Sequence, residues 1–465
     1  MKCFNYGRRK AKGKAILVPY PAQGHVTPML NLAAQLVNEG LEAILVTPEF
    51  IHCRILSQIN PSDGIIFMSI PDGLEQGKPI DFFAIENAME NYMPFHLRNL
   101  IIQLQLQQQE EEDGCQGGVS CLIFDLLASY ALDVANRCGV VVAGFWPAMF
   151  ATYQLIAAIP KMLDSGFISQ TGYAVDDTSM FSLPGVVEIP ISGEELPWLI
   201  GTSATTKSRF KFWSRTMERS NTLRYLIVNS FPEECNAANV SGMQQVVIPL
   251  IQPPSALGII RSMRLKASFW EEDLSCLDWL DRQTAGSVVY VSFGSWVSPI
   301  GEAKVKSIAM GLEASGKPFL WVLGNEWREG LPRGYIETSK LGKIVSWAPQ
   351  IDVLQHEAVG CFLTHCGWNS TMEAIHCHKP LLCCPVAGDQ FLNCAYIVKV
   401  WGIGVRIKGF RQRDVEEGLK IVMEDYCCEM RKRIMKLKEK LMMSHRAIYH
   451  SLTTFLRCLP IKQSN

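Results

Sequence analysis

The stretch FLTHCGWNSTMEA, residues 362–374, gathers a histidine, a glycine, a tryptophan, an amide, three hydroxyls and a carboxylate within thirteen residues. Its apolar start reads as the end of a strand near His365, and its polar run reads as a helix opening at about Asn369-Ser370. A helix N-terminus presents free N–H groups and roughly half a positive charge, which makes it an anion site. His365, the Asn369 amide and the Ser370 hydroxyl add donors around the same point. Gly367 permits close backbone approach, and Glu373, one turn in, can accept from a diol. Part of this has a plainer explanation: Ser370-x-x-Glu373 fits a capping box. The box leaves His365, Trp368 and Asn369 unexplained. A second strand end, SFGS at 292–295, offers Gly294 for a tight turn and Ser295 as a further donor.

Other chemistries fail on spacing. Gly311–Lys317, GLEASGK, lacks the Ser or Thr of a P-loop, since Pro318 follows it. No G-x-G-x-x-G follows a strand, HEAVG lacks the second histidine of a zincin, and no D-x-D is present for a divalent metal. His365, Cys366, His376, Cys377 and His378 lack the paired spacing of a zinc finger.

The elements that must position these residues are strands alternating with helices. In the first half KAILVPY, EAILVTP, VSCLIFD, GVVVAGF and RYLIVNS read as strands. Thr27-Pro28 reads as an N-cap followed by proline at the first helical position, which leaves His25 in the preceding loop. Residues 247–272, rich in proline and without periodicity, read as a linker. The pattern then restarts with SVVYVSF, PFLWVL, KIVSW, GCFLTH, PLLCCPV and GVRI. Such alternation implies two parallel sheets covered on both faces. Ligands of open α/β sheets bind beyond the carboxyl ends of the strands, where His365 and Ser295 fall.

Composition narrows the classes further. A net charge of −1 offers no basic face for nucleic acid. Sixteen scattered cysteines without C-x-x-C read as reduced thiols in a cytoplasmic setting. The N-terminal apolar run is too short for a secretion signal. Residues 138–160 carry no charge, but Pro147 and the valine-rich first half favour a buried strand and an apolar helix over a membrane span. Trp146 and Phe150 within it suit either an apolar pocket or the core. Residues 103–118 read as a helix end and a solvated loop.

From Trp347 to Gln390 the chain reads WAPQIDVLQHEAVGCFLTHCGWNSTMEAIHCHKPLLCCPVAGDQ. This resembles the 44-residue signature box of plant UDP-dependent glycosyltransferases, glycosyltransferase family 1. LDWLDRQTAGSVVYVSFGS is similar to the family's segment opening the donor domain, and PYPAQGHVTPMLNLAAQL to its N-terminal catalytic loop. The resemblance implies a GT-B fold: α/β, with two Rossmann-like doubly wound domains facing a cleft. Residues 14–246 would bind the acceptor and 273–440 the UDP-sugar, with a C-terminal helix at 441–465 packing back on the first domain.

The resemblance also implies roles. Trp347 would stack on uracil, with Ala348 giving backbone bonds. Gln350 and Glu373 would hold ribose. His365, Asn369, Ser370 and Ser295 would hold the diphosphate around Gly367. Trp368, Asp389 and Gln390 would bind sugar hydroxyls, although Asp389 also suits a helix cap. Glutamine at the last box position resembles glucose-using members. His25 would be the general base, a task suited to imidazole, and Asp125, ending VSCLIFD, would orient it; the rival Asp133 lies in the next helix. The implied reaction is inverting transfer of glucose from UDP-glucose to a hydroxyl of a small lipophilic acceptor. It needs no metal or cofactor and is carried out by a monomer in the cytoplasm, with or without peripheral membrane association. The alternative is a non-catalytic UDP-sugar-binding or scaffold protein, which would keep the box and lose the base. Two departures stand out: His378 replaces a common glycine, and Ala387 a frequent aromatic.

Overall fold

The computed structural model describes residues 13–459 other than 57–63, 76–79, 111–117, 177, 184–186, 236–242, 251–268, 296–299 and 444. The first half contributes β1 (Lys14–Val18), β2 (Glu42–Pro48), β3 (Ile65–Ile70), β4 (Val119–Asp125), β5 (Val142–Trp146), β6 (Met180–Leu183), β7 (Val187–Ser192), β8 (Tyr225–Val228) and β9 (Val246–Pro249). The second contributes β10 (Val288–Ser292), β11 (Phe319–Val322), β12 (Gly342–Val345), β13 (Val359–Thr364), β14 (Leu381–Cys383) and β15 (Gly404–Arg406). One sheet runs β3-β2-β1-β4-β5-β8-β9 and the other β12-β11-β10-β13-β14-β15, with β6 and β7 forming a small antiparallel pair. Every pairing within the two large sheets is parallel.

The strand sequences explain this arrangement. Ala15–Val18 and all of β10 are buried, as continuous apolar runs must be when helices cover both faces. Each Val, Ile or Leu so buried is worth roughly 1.5–3 kcal/mol relative to exposure. Strand order reverses between β1 and β4 in the first sheet and between β10 and β13 in the second. These two switch points are where crossover helices part to opposite faces and leave a crevice. The uncharged run at 138–160 divides into β5 and the helices Phe150–Ala157 and Ile159–Asp164. Among the described residues no helix is long and apolar enough to cross a membrane.

Several expectations need correction. β3 and β9 join the first sheet, so that sheet extends to Pro249 and the supposed linker begins inside a strand. Residues 251–268 of that segment lie outside the described residues, as do 111–117 of the polar stretch and 460–465 of the C-terminus. The helix after β1 spans Gln23–Asn38 with Ala22 as N-cap, so Pro28 lies inside it and His25 belongs to its first turn. Trp146 and Phe150 are core residues, 3% and 0% exposed. The C-terminal segment forms two helices, Cys427–Met443 and His445–Arg457. The second reaches the first sheet, with Phe455 edge-on to Tyr225 at 5.2 Å.

Candidate active site

His25 and Asp125 meet at the first switch point. β4 ends at Asp125, which is fully buried and accepts from the Leu127 backbone N–H at 2.9 Å. Its other oxygen lies 2.7 Å from His25 Nδ1. A carboxylate only accepts, so Nδ1 carries the proton and Nε2 presents its lone pair outward. The rival Asp133 is largely exposed and sits 3.8 Å from Arg219.

The turn carrying His365 and Gly367 occupies the second switch point. β10 and β13 run in register from Val289–Cys361 to Ser292–Thr364, which brings Gly294 beside His365. Gly294 has φ +77, and a Cβ there would lie 2.7 Å from His365 Nε2; one on Gly367 would lie 2.4 Å from the same atom. Both glycines are therefore required by the imidazole between them. Burial pushes His365 down to about 4, while its hydrogen bond with the Ser292 backbone acts the other way. The ring is thus a neutral group at physiological pH, and its Nδ1 is buried without a partner in the protein. Ser295 is half-buried in the same turn.

The following helix spans Trp368–His376 with Gly367 as N-cap and no side-chain cap. The capping box is therefore absent: the helix starts two residues before Ser370, placing that residue inside the first turn. Gln350 takes up both polar partners instead. Its Nε2 donates to Ser370 Oγ at 3.0 Å and to Glu373 Oε2 at 2.6 Å, and its Oε1 accepts from the Tyr290 hydroxyl at 3.1 Å. Burial pushes the Glu373 carboxyl up to about 7, against the opposing effect of the Gln350 amide. Beside this network Ala348 is buried, and Trp347 is half-buried with its ring 4.6 Å from that of Trp270.

Asp389 precedes the helix Gln390–Ala395 but does not cap it. Its carboxylate accepts from Asn393 Nδ2 at 2.8 Å, and the same amide donates to the Cys366 carbonyl at 2.9 Å. Burial raises the Asp389 carboxyl, while the nearby charges include His25 across the cleft. Gln390 Oε1 accepts from the Val386 and Ala387 backbones at 2.9 and 3.0 Å, closing the loop that carries Ala387. Cys366 and His378 hold left-handed backbone, φ 67 and 57. His365, Cys366, His376, Cys377 and His378 form no common cluster. Among the described residues the one clustered set of metal-type side chains is Cys366, Cys383 and Cys394, all buried.

Two contacts join the domains at the second switch point. Trp368 Nε1 donates to the Asn229 carbonyl at 2.7 Å, so its indole N–H is committed to the first domain. Asn369 Nδ2 donates to the Gly24 carbonyl at 2.8 Å. Pro28 has no N–H to give that carbonyl one turn back, and Asn369 supplies the missing donor. Spacing had suggested neither contact, nor Tyr290, Asn229 or Asn393; of these only Asp389-x-x-x-Asn393 left a helical-spacing signal.

Two parallel-sheet domains, with a His25–Asp125 pair at one switch point and the His365 turn at the other, have the architecture of the GT-B class. A family model described as UDP-glucoronosyl and UDP-glucosyl transferase matches residues 256–442. UDP-glycosyltransferase 82A1 of Arabidopsis thaliana is 48% identical over 456 residues, covering 93% of this chain and 95% of that protein. Os79 from O. sativa, solved with UDP, superposes with a TM-score of 0.77 at 28% identity, covering 91% of this chain and 94% of that one. UDP-glucose:anthocyanidin 3-O-glucosyltransferase, also with UDP, gives 0.76 at 25% identity over 97% and 99%. The chain belongs to the plant family 1 UDP-glycosyltransferases and is an enzyme transferring a sugar from a UDP-sugar.

Proposed function

We propose that this enzyme transfers glucose from UDP-glucose to a hydroxyl of a small lipophilic acceptor with inversion. The observation that carries the reading is the 2.7 Å contact between His25 Nδ1 and Asp125, on a helix tied by Gly24 to Asn369 of the donor turn. His25 Nε2 takes the acceptor proton as its oxygen attacks the anomeric carbon opposite UDP. One displacement converts an α-linked donor into a β-glucoside through an oxocarbenium-like transition state. Asp125 holds the tautomer and stabilises the imidazolium that forms.

Charge builds on the departing diphosphate. The N-terminus of Trp368–His376, neutral His365, Ser370 and Ser295 meet it. Trp347 and Ala348 serve the uracil, and Gln350 and Glu373 the ribose. Asp389 and the Gln390 amide serve the sugar hydroxyls, with Trp368 contributing its backbone. A glucosyltransferase among the structural neighbours supports the choice of sugar. No metal enters this scheme.

Incubation with UDP-glucose and a mixed hydroxyl acceptor panel, read by mass, tests it. A β-glucoside is expected, undiminished by chelator, and abolished by His25→Ala with donor affinity nearly unchanged. Binding of UDP-glucose with no transfer to any acceptor would instead favour a non-catalytic binding protein.

A further inference from the structure

Arg209 stands out because the mechanism above does not use it. It lies on the helix Ser203–Ser220. Its guanidinium carbon sits 4.1 Å from the Phe82 ring centroid, and its Nε is buried without a hydrogen-bond partner. Burial lowers its affinity for the proton, while the fields of Tyr20, Asp81 and Glu86 act the other way.

The neighbouring charges are already matched. Glu86 accepts from Arg215 at 2.8 Å, and Glu90 accepts from both Nη atoms of Arg219 at 2.7 and 2.9 Å. Asp81 caps the helix Phe82–Asn87 by accepting from the Ala84 backbone at 2.9 Å. Asp81 and Glu86 reach Arg209 only through their fields. Among the described residues Arg209 makes no ion pair.

Its surroundings lead to the base. Arg209 and Asp125 both act electrostatically on the Tyr20 phenol, in opposite senses. The Tyr20 ring lies 5.1 Å from that of His25. Among the described residues the Tyr20 hydroxyl makes no hydrogen bond. The field of this cation thus reaches a phenol whose ring packs against the His25 imidazole. An aromatic series borders it: Phe82 meets Phe212 edge-on at 5.4 Å, Phe212 meets Trp213 at 5.9 Å, and Trp213 meets Trp146 at 5.9 Å.

An unpaired guanidinium and a phenol beside aromatic rings match a planar molecule ending in a carboxylate. We propose that the acceptor is an aromatic hydroxy acid, its carboxylate held by Arg209 and the Tyr20 hydroxyl while its phenolic hydroxyl meets His25. This rests on the glucosyl-transfer reading above and names its acceptor class. The bond formed joins the phenolic oxygen to the anomeric carbon, the bond broken releases UDP, and the proton passes to His25 Nε2. The carboxylate is bound and left unmodified.

The test compares 4-hydroxybenzoate and 4-hydroxycinnamate with their methyl esters, using UDP-glucose as donor. The wild type should favour the acids by about tenfold or more in kcat/KM, the range of one charge-assisted interaction. Arg209→Met keeps the aliphatic cover on Phe82; it should lower kcat/KM for the acids about tenfold to hundredfold, mainly through KM, and change the esters less than about threefold. Arg209→Lys should recover part of the preference. An unchanged UDP-glucose Kd verifies that each variant is folded. The products should resist hydroxylamine, as acetals do. Equal use of acids and esters by the wild type, an equal loss for both in Arg209→Met, or a hydroxylamine-labile ester product would overturn the proposal. Transfer confined to neutral acceptors would overturn it while leaving the glucosyl-transfer reading intact; no transfer to any acceptor would remove both.

Discussion

Asn369 and Gly24, 345 residues apart, share a hydrogen bond of 2.8 Å across the cleft. The bond ties the first turn of the helix carrying His25 to the first turn of the helix Trp368–His376. Asn369→Ala should lower kcat about tenfold, the order of one lost hydrogen bond. Steady-state kinetics with saturating donor checks this; an unaltered kcat would assign the amide no role in alignment.

Asp125 fixes which nitrogen of His25 is protonated. Asp125→Asn keeps the shape but can donate to Nδ1 and so favour the wrong tautomer. A loss of roughly 10²–10⁴ in kcat is expected, with UDP-glucose Kd held. Calorimetric binding alongside rate measurements separates the two quantities.

The ribose role proposed for Glu373 makes donor binding pH-dependent, because ribose hydroxyls donate and the ionised carboxylate is then the binding form. With its carboxyl raised by burial to about 7, ionisation falls from about nine-tenths at pH 8 to about one-tenth at pH 6. UDP-glucose affinity should therefore weaken about tenfold over that interval. His365, held near 4, stays neutral throughout and adds nothing. Glu373→Gln should flatten the profile, and affinity that rises on acidification would contradict the assignment.

Gly367→Ala places a methyl 2.4 Å from His365 Nε2. The ring must leave its position between Gly294 and Gly367. Donor affinity should fall at least about tenfold, measured by titration with UDP.

His378 sits at the C-terminal end of Trp368–His376 with φ 57, a conformation that glycine adopts freely. His378→Gly should relieve about 1 kcal/mol of strain and raise the urea midpoint at unchanged activity. Cys366 has similar backbone, φ 67, but its thiol is fully buried beside Cys383 and Cys394. The same exchange there would trade strain for a cavity, and no gain is expected.

Local pattern made the sheets legible. Continuous apolar strands separated by helices marked β1, β2, β4, β5 and β8 and all six strands of the second sheet. β9 escaped because its VVIP is short and adjoins a proline-rich stretch. The helix start at Gln23 was missed because Thr27-Pro28 carries a strong local cap signal, which tertiary placement overrides. Ser370 and Glu373 have capping-box spacing, but Gln350, twenty residues away in sequence, competes for both. Trp368 looked available for sugar contact because nothing in its neighbours announces Asn229. Arg209 left no trace, since a lone arginine on an amphipathic helix has no pattern, and its lack of an ion pair exists only after folding.

The proline at 28 has a consequence for recombination between relatives. By removing one N–H it leaves a carbonyl at Gly24 that the other half of the molecule completes. A chimera with an exchanged donor half therefore inherits a hidden pairing rule. The incoming half must present an amide at the second position of its helix, or the seam closes over an unanswered acceptor beside His25.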